Sequence, residues 1–320
     1  MEAKGFLQDE KVNEARQLLN SVDKSEKYFE YHVLMARAAF IEESFDLSLA
    51  HLNQALVLDS TSAALRIKAA SLQLKLEPDS KPIELVDEAL KMTKIKQKDI
   101  FQAVRLYNKM SVPQKSLEIL QKNILRMPND QTARYALARQ LVNSKKFDEA
   151  IAELNNSLAL NSASEKTRIL LARILMLEGE LQKSRVTITP LLAINLKDDI
   201  KNKVLLILAD IAIRSKEYND SRNYLAKVST TISPYYNYLW GKIFEQEGNY
   251  INTVNSFNAS LAALKKDTSL LSDDTDKLDE LSLRDRANEL DCELQPKIYQ
   301  FSVSEDEEDQ EVDIAESILD

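Results

Sequence analysis

The chain has 320 residues, with 42 Lys and Arg against 51 Asp and Glu, for a formal net charge of −9. It is 44% hydrophobic and 29% charged, with four Gly and seven Pro, which argues against an all-β or loop-rich protein and makes an all-α chain the expectation. The negative balance disfavours a general nucleic-acid or membrane-surface binder, and the single cysteine, Cys292, excludes an intrachain disulfide. In chain order, "MEAKGFLQDEKV" (1–12) lacks a basic segment followed by an apolar stretch, so no secretory signal is read there. "KVNEARQLLNSV" (11–22) reads as the second helix of a pair with no first helix before it, so the chain is expected to be a piece of a longer protein. A divergent first helix within residues 1–10 is the other reading. From residue 29 the chain alternates between two kinds of short amphipathic segment as far as about residue 267. The longest apolar run, "VLLILADIAI" (204–213), is interrupted by Asp210 and too short to span a bilayer, so the chain is read as soluble and cytoplasmic. "SLLSDDTDKLDELSLRDRANELDCELQ" (269–295) reads as a polar helix that caps the array, and "VSEDEEDQEVDIAESILD" (303–320) as a disordered acidic segment.

The two kinds of segment recur with a period of 34 residues. "FDLSLAHLNQALVLDS" (45–60) and "FDEAIAELNNSLALNS" (147–162) align without gaps at a separation of 102, three periods. "KSLEILQKNILRMP" (115–128) and "LQKSRVTITPLLAIN" (181–195) share the register, and "PIELVDEALKM" (82–92) fits it more loosely. "YNDSRNYLAKVS" (218–229) and "YINTVNSFNASLAAL" (250–264) follow at offsets of 37 and 32. First segments carry apolar residues at i, i+1 and i+4, as in Leu137, Ala138 and Leu141. Second segments open on an aromatic or apolar residue, then a small one, then an apolar one, as in Phe147, Ala150 and Leu154. Both spacings suit helices with one packed stripe. The small residue (Ser48, Ser116, Ala150, Ser184, Ser221, Thr253) lets neighbouring helices approach closely. Pro82 interrupts this register and makes 63–96 the most divergent unit.

These residues resemble the tetratricopeptide repeat family. The match is fullest in "WGKIFEQEGNYINTVNSFNASLAAL" (240–264), where Gly241 takes the family's glycine slot, Phe244 its tyrosine slot and Phe257 the aromatic slot of the second helix. The resemblance implies an α-solenoid of about seven helix-turn-helix repeats forming a right-handed superhelix. Its divisions would be an N-terminal half repeat or cap (1–28), the solenoid (29–267), a capping helix (268–298) and an acidic tail (299–320).

Numbered from starts at 29, 63, 97, 131, 165, 202 and 234, the repeats place Arg37, Arg105, Arg139, Arg173 and Lys242 at position 9, with Ser71 and Asp210 breaking the column. Position 9 lies four after position 5 and three before position 12, so the three share a helix face. Position 5 holds Val33, Ile67, Phe101, Tyr135, Ile169, Leu206 and Tyr238. The resemblance implies that positions 2, 5, 9, 12 and 13 of first helices face a peptide in a concave groove. Lys98, Lys166 and Lys203 then join the set at position 2, and Lys75, Lys109 and Arg214 at position 13. The candidate groove residues are Arg37, Lys98, Phe101, Arg105, Tyr135, Arg139, Lys166, Arg173, Tyr238 and Lys242. Arginine suits bidentate pairing with carboxylates, so the expected ligand is an acidic and apolar protein segment. The same column also reads as a structural face whose arginines pair with Glu or Asp of neighbouring helices. The Lys and Asn pattern by which chaperone-binding relatives clamp a terminal carboxylate is not met.

The acidic tail, followed by Val312, Ile314, Ala315, Ile318 and Leu319, could become a helix on a partner or occupy the chain's own basic groove. Catalytic and metal signatures are missing from the sequence: two histidines, His32 and His51, are read as packing or surface residues, and no glycine-rich phosphate loop or metal-spaced cluster occurs. The reading is a non-enzymatic scaffold or adaptor without cofactors. A structural subunit of a larger assembly and a single-stranded RNA binder are the alternatives, the latter disfavoured by the net charge.

Overall fold

A computed structural model describes residues 2–9, 11–21, 28–93, 95–229 and 233–266. The expected capping helix at 268–298 and the tail at 299–320 lie outside the described residues. Helices account for the regular structure, and among the described residues none is long and apolar enough to cross a membrane. Two compact units divide the described chain, one up to Arg126 and one from Met127.

The first unit holds α1 (Glu2–Gln8), α2 (Val12–Asn20), α3 (Phe29–Ile41), α4 (Phe45–Leu58), α5 (Ala63–Leu76), α6 (Ile83–Leu90), α7 (Gln97–Lys109) and α8 (Pro113–Arg126). The second holds α9 (Gln131–Asn143), α10 (Phe147–Leu160), α11 (Glu165–Leu177), α12 (Leu181–Ile188), α13 (Asp198–Arg214), α14 (Tyr218–Leu225), α15 (Pro234–Gln246) and α16 (Tyr250–Lys266). The 34-residue register reappears in these bounds: α3, α5, α7, α9, α11 and α15 each open at position 1 of their repeat, and α4, α8, α10, α12, α14 and α16 at position 17.

The turn between the paired helices is built the same way in six repeats. Glu43, Ser111, Lys145, Gly179, Lys216 and Gly248, all at position 15, adopt positive φ between 57° and 79°. The next residue's amide then reaches the carbonyl five residues back, as in Ser44 to Ala39, Lys146 to Leu141 and Glu180 to Leu175 at 2.8–2.9 Å. This closure satisfies carbonyls that the helix end would otherwise leave bare. A left-handed residue without strain requires glycine, yet only Gly179 and Gly248 supply it among these six. The 63–96 unit departs: its positive φ moves to Lys81, directly before Pro82, and α6 starts four residues late. Proline lacks an amide donor and disfavours a helical residue before it, so the second helix waits until Ile83.

The small position of the second helix does more than permit approach. Ser48, Ser116 and Ser184 donate from Oγ to the carbonyls of Ala36, Val104 and Ala172, twelve residues earlier in each case, at 2.7, 3.2 and 2.6 Å. In the last repeat the glycine does the spacing instead: a Cβ on Gly241 would meet the Phe257 ring at 2.5 Å. Position 8 is thus a point of close approach in these four pairs of helices.

Residues 2–8 differ from the leading sequence reading. They form a helix, and Leu7 is buried with Ala15 of α2 and Ala38 of α3. The α2 helix is therefore paired with a divergent first helix. Seven residues that include Gly5 are too few to show a 3.6-residue period, so this helix has no signature in the sequence pattern.

Candidate functional site

The position-9 cations fall into three environments. Arg37 on α3 and Arg173 on α11 are enclosed, at 3% and 2% exposure. Arg139 on α9 and Lys242 on α15 are half-buried, while Arg105 on α7 is exposed. A uniform basic wall would require similar exposure along the series, so the expectation of one continuous face is narrowed. Arg37 donates from Nη2 to the Leu7 carbonyl at 2.8 Å, and its Nε and Nη1 have no hydrogen-bond partner among the described residues. Burial pushes this guanidinium down to about 10. The α1 helix therefore supplies the acceptor that holds this arginine. Lys242 hydrogen-bonds Glu245 at 2.7 Å on its own helix.

Asp210, the acidic break in the column, is also enclosed, at 4% exposure. It accepts from Arg214 Nε at 3.0 Å and from the Tyr235 hydroxyl at 2.6 Å. Burial opposes the charge on Arg214, but the adjoining carboxylate outweighs it and holds the guanidinium above its ordinary value. Here positions 9 and 13 of one repeat and position 2 of the next form a packed polar network joining α13 to α15. Arg214, Tyr235 and Asp210 are thus structural neighbours, a role invisible while the positions were read as columns.

The remaining candidates divide between the units. In the first, Lys98, Phe101, Arg105 and Lys109 follow one another at i, i+3, i+7 and i+11 along α7, a single helical face. Lys98 and Phe101 are half-buried, and Arg105 and Lys109 are exposed. In the second, Tyr135 and Tyr238 are half-buried and Lys166 is exposed. Tyr238 stacks on Tyr235 at 6.2 Å and lies 5.8 Å from Phe257, so part of its ring serves the packing of the last repeat.

A second surface of opposite sign was not singled out from the sequence. In the second unit a cavity of about 640 Å³ opens between α10 and α12 over α11. Ile151, Leu171, Leu175 and Val186 give it apolar walls, and Asp148, Glu178 and Glu180 supply carboxylates, with Lys183 paired to Glu180 at 3.2 Å. Its residues come from three helices, so no one segment of sequence carries its signature. Among the described residues no group of three or more His, Cys, Asp or Glu could hold a metal ion.

Comparison with known proteins bears on the fold. A tetratricopeptide repeat protein from Parabacteroides merdae ATCC 43184 superposes with a TM-score of 0.56 at 14% identity, over 80% of this chain and 98% of that one. The chain has the tetratricopeptide-repeat fold. Two further solved structures of tetratricopeptide-repeat type show weaker likeness. MamA from Desulfovibrio magneticus RS-1 has a TM-score of 0.43 at 12% identity, over 52% of this chain and 93% of that one. YrrB, described as a repeat protein with an unusual peptide-binding site, has a TM-score of 0.41 at 17% identity, over 58% of this chain and 91% of that one. No protein-family model and no curated protein matches the sequence. Within the tetratricopeptide-repeat fold, the Gly241–Phe257 contact and the position-8 carbonyl bonds are the local features that keep the paired helices close.

Proposed function

We propose that the protein is a non-enzymatic interaction scaffold that takes an acidic and apolar segment of a protein partner on the exposed faces of its first helices. The observation that supports it best is the α7 face, where Lys98, Arg105 and Lys109 flank the half-buried Phe101 over three turns. Such a face offers charge-assisted hydrogen bonds to carboxylates beside an apolar contact for the intervening side chains. Tyr135 with Arg139, and Lys166, repeat the combination in the second unit. Arg37 and Arg173 are enclosed and are assigned a packing role in this reading.

The chain's own residues 303–320, acidic and then amphipathic, supply a concrete probe. A labelled peptide of this sequence is titrated into the full chain at low salt. Reversing Arg105 and Lys109 to Glu is expected to weaken binding about tenfold or more, with the melting curve unchanged, because steering and pairing of exposed charges are strongest at low ionic strength. Equal affinity in the two proteins would reject the α7 face. Deleting 303–320 is expected to tighten binding of the added peptide if the tail competes from within the chain, and unchanged affinity would reject that competition.

A further inference from the structure

His32 and His51, the two histidines of the chain, converge from α3 and α4 so that their Nδ1 atoms stand 3.0 Å apart. Both are half-buried, with ring centroids 5.3 Å apart and ring planes tilted by 42°. The buried Tyr31 ring meets both imidazoles edge to face, at centroid distances of 5.1 and 6.2 Å, and walls one side of the pair. At this distance one Nδ1 that carries a proton donates a hydrogen bond to the other. With both rings protonated at Nε2, each facing Nδ1 presents a lone pair, the donor that a metal takes from a neutral imidazole.

We propose that His32 and His51 form a two-imidazole site for a divalent transition metal, with copper(II) and nickel(II) favoured over zinc(II). At metal–nitrogen distances of about 2.0–2.1 Å, nitrogens 3.0 Å apart subtend roughly 95° at the metal. That is the angle between adjacent ligands in a tetragonal or square-planar complex, and it is smaller than a tetrahedral zinc site prefers. The ordering of divalent metals by affinity also puts copper first. Partial exposure of both rings leaves the outer coordination positions to water.

The frame around the pair is stiff, which is what separates a site from two mobile surface side chains. Ser48, three residues before His51, donates to the carbonyl of Ala36, four residues after His32, at 2.7 Å. Phe40 and Phe45 pack edge to face at 5.5 Å at the turn end of the same helix pair. The two backbones are therefore locked at the level of the imidazoles, and a bound metal cross-links the first and second helices of one repeat.

The test uses the full chain with Cys292 changed to Ser, so that thiol chemistry does not consume copper. Copper(II) and nickel(II) are titrated at neutral pH into this protein and into its His32→Gln and His51→Gln variants, by calorimetry and by thermal melting. One equivalent is expected to bind with a rise in Tm that excess chelator reverses. Each Gln variant is expected to bind at least about tenfold more weakly, since even outer-sphere partners of metal ligands cost that much when removed. Wild-type affinity in either variant would overturn the site. The copper(II) resonance spectrum of the unvaried histidine pair provides a readout that no substitution can disturb: two equatorial imidazole nitrogens are expected, and their absence would equally overturn it.

Discussion

Position 9 of the repeat holds Arg37 on α3 and Asp210 on α13, and both are enclosed, yet the two sites are built on opposite terms. Asp210 receives two donors, Arg214 and Tyr235, and completes a network between consecutive first helices. Arg37 has one carbonyl acceptor and carries two guanidinium nitrogens without a hydrogen-bond partner among the described residues. A buried charge with its partners in place is costly to break, whereas a buried charge with few partners costs stability by remaining charged. One repeat position therefore serves opposite energetic ends, and shared register does not imply a shared role.

The largest test of that contrast is Asp210→Ala. It leaves the Tyr235 hydroxyl without its acceptor and Arg214 without its counter-charge, and about 2–3 kcal/mol of stability is expected to be lost in urea unfolding. A loss below about 1 kcal/mol would place Asp210 on the same footing as Arg37.

A partly open network in the first unit gives an intermediate case. Asp87 accepts from Tyr107 at 2.5 Å and from Lys115 at 2.6 and 2.8 Å. Burial raises the Asp87 carboxyl, but these hydrogen bonds outweigh it and hold it below the ordinary carboxylate range. Its contribution is therefore present above the unfolded-state value, near pH 4, and is lost as pH falls through the lower folded value. Asp87→Asn is expected to cost about 1.5 kcal/mol at neutral pH, less than Asp210→Ala because the pair is partly solvated. It should also flatten the stability profile below about pH 4. An unaltered acid limb would show that Asp87 is not the group responsible.

Arg37→Met comes next. Removing the enclosed charge offsets the lost bond to the Leu7 carbonyl, so stability is expected to stay within about 1 kcal/mol of the parent. A loss of about 3 kcal/mol would reveal Arg37 as a structural partner equal to Asp210. The smallest effect is assigned to Arg105→Ala, within about 0.5 kcal/mol, because exposed charges contribute little to stability. A marked fall in Tm there would move Arg105 from the binding face to the packing.

Much of this architecture was legible from local pattern. The period of 34, the opening residues of most helices and the divergent 63–96 unit follow from apolar spacing, small residues and Pro82, all of which act within one helical pair. Gly241 and Phe257 were each placed in a repeat slot by sequence, and the structure brings them together so closely that a Cβ on Gly241 would meet the ring.

The candidate site was legible only in its register. Helical periodicity determines which residues share a face, so Phe101 and Arg105, or Tyr135 and Arg139, four apart in each case, fall on one face by their spacing. Whether a face meets solvent depends on the helix packed against it, and that helix can be remote in the chain: Leu7, thirty residues before Arg37, supplies the carbonyl that holds it. The histidine pair and the Asp210 network likewise join residues 19 and 25 apart through side-chain directions. The sequence by itself thus determined the repeat and its phase, because a 3.6-residue period is a property of each helix. Tertiary structure decided which charges are buried, because burial is a property of the neighbours.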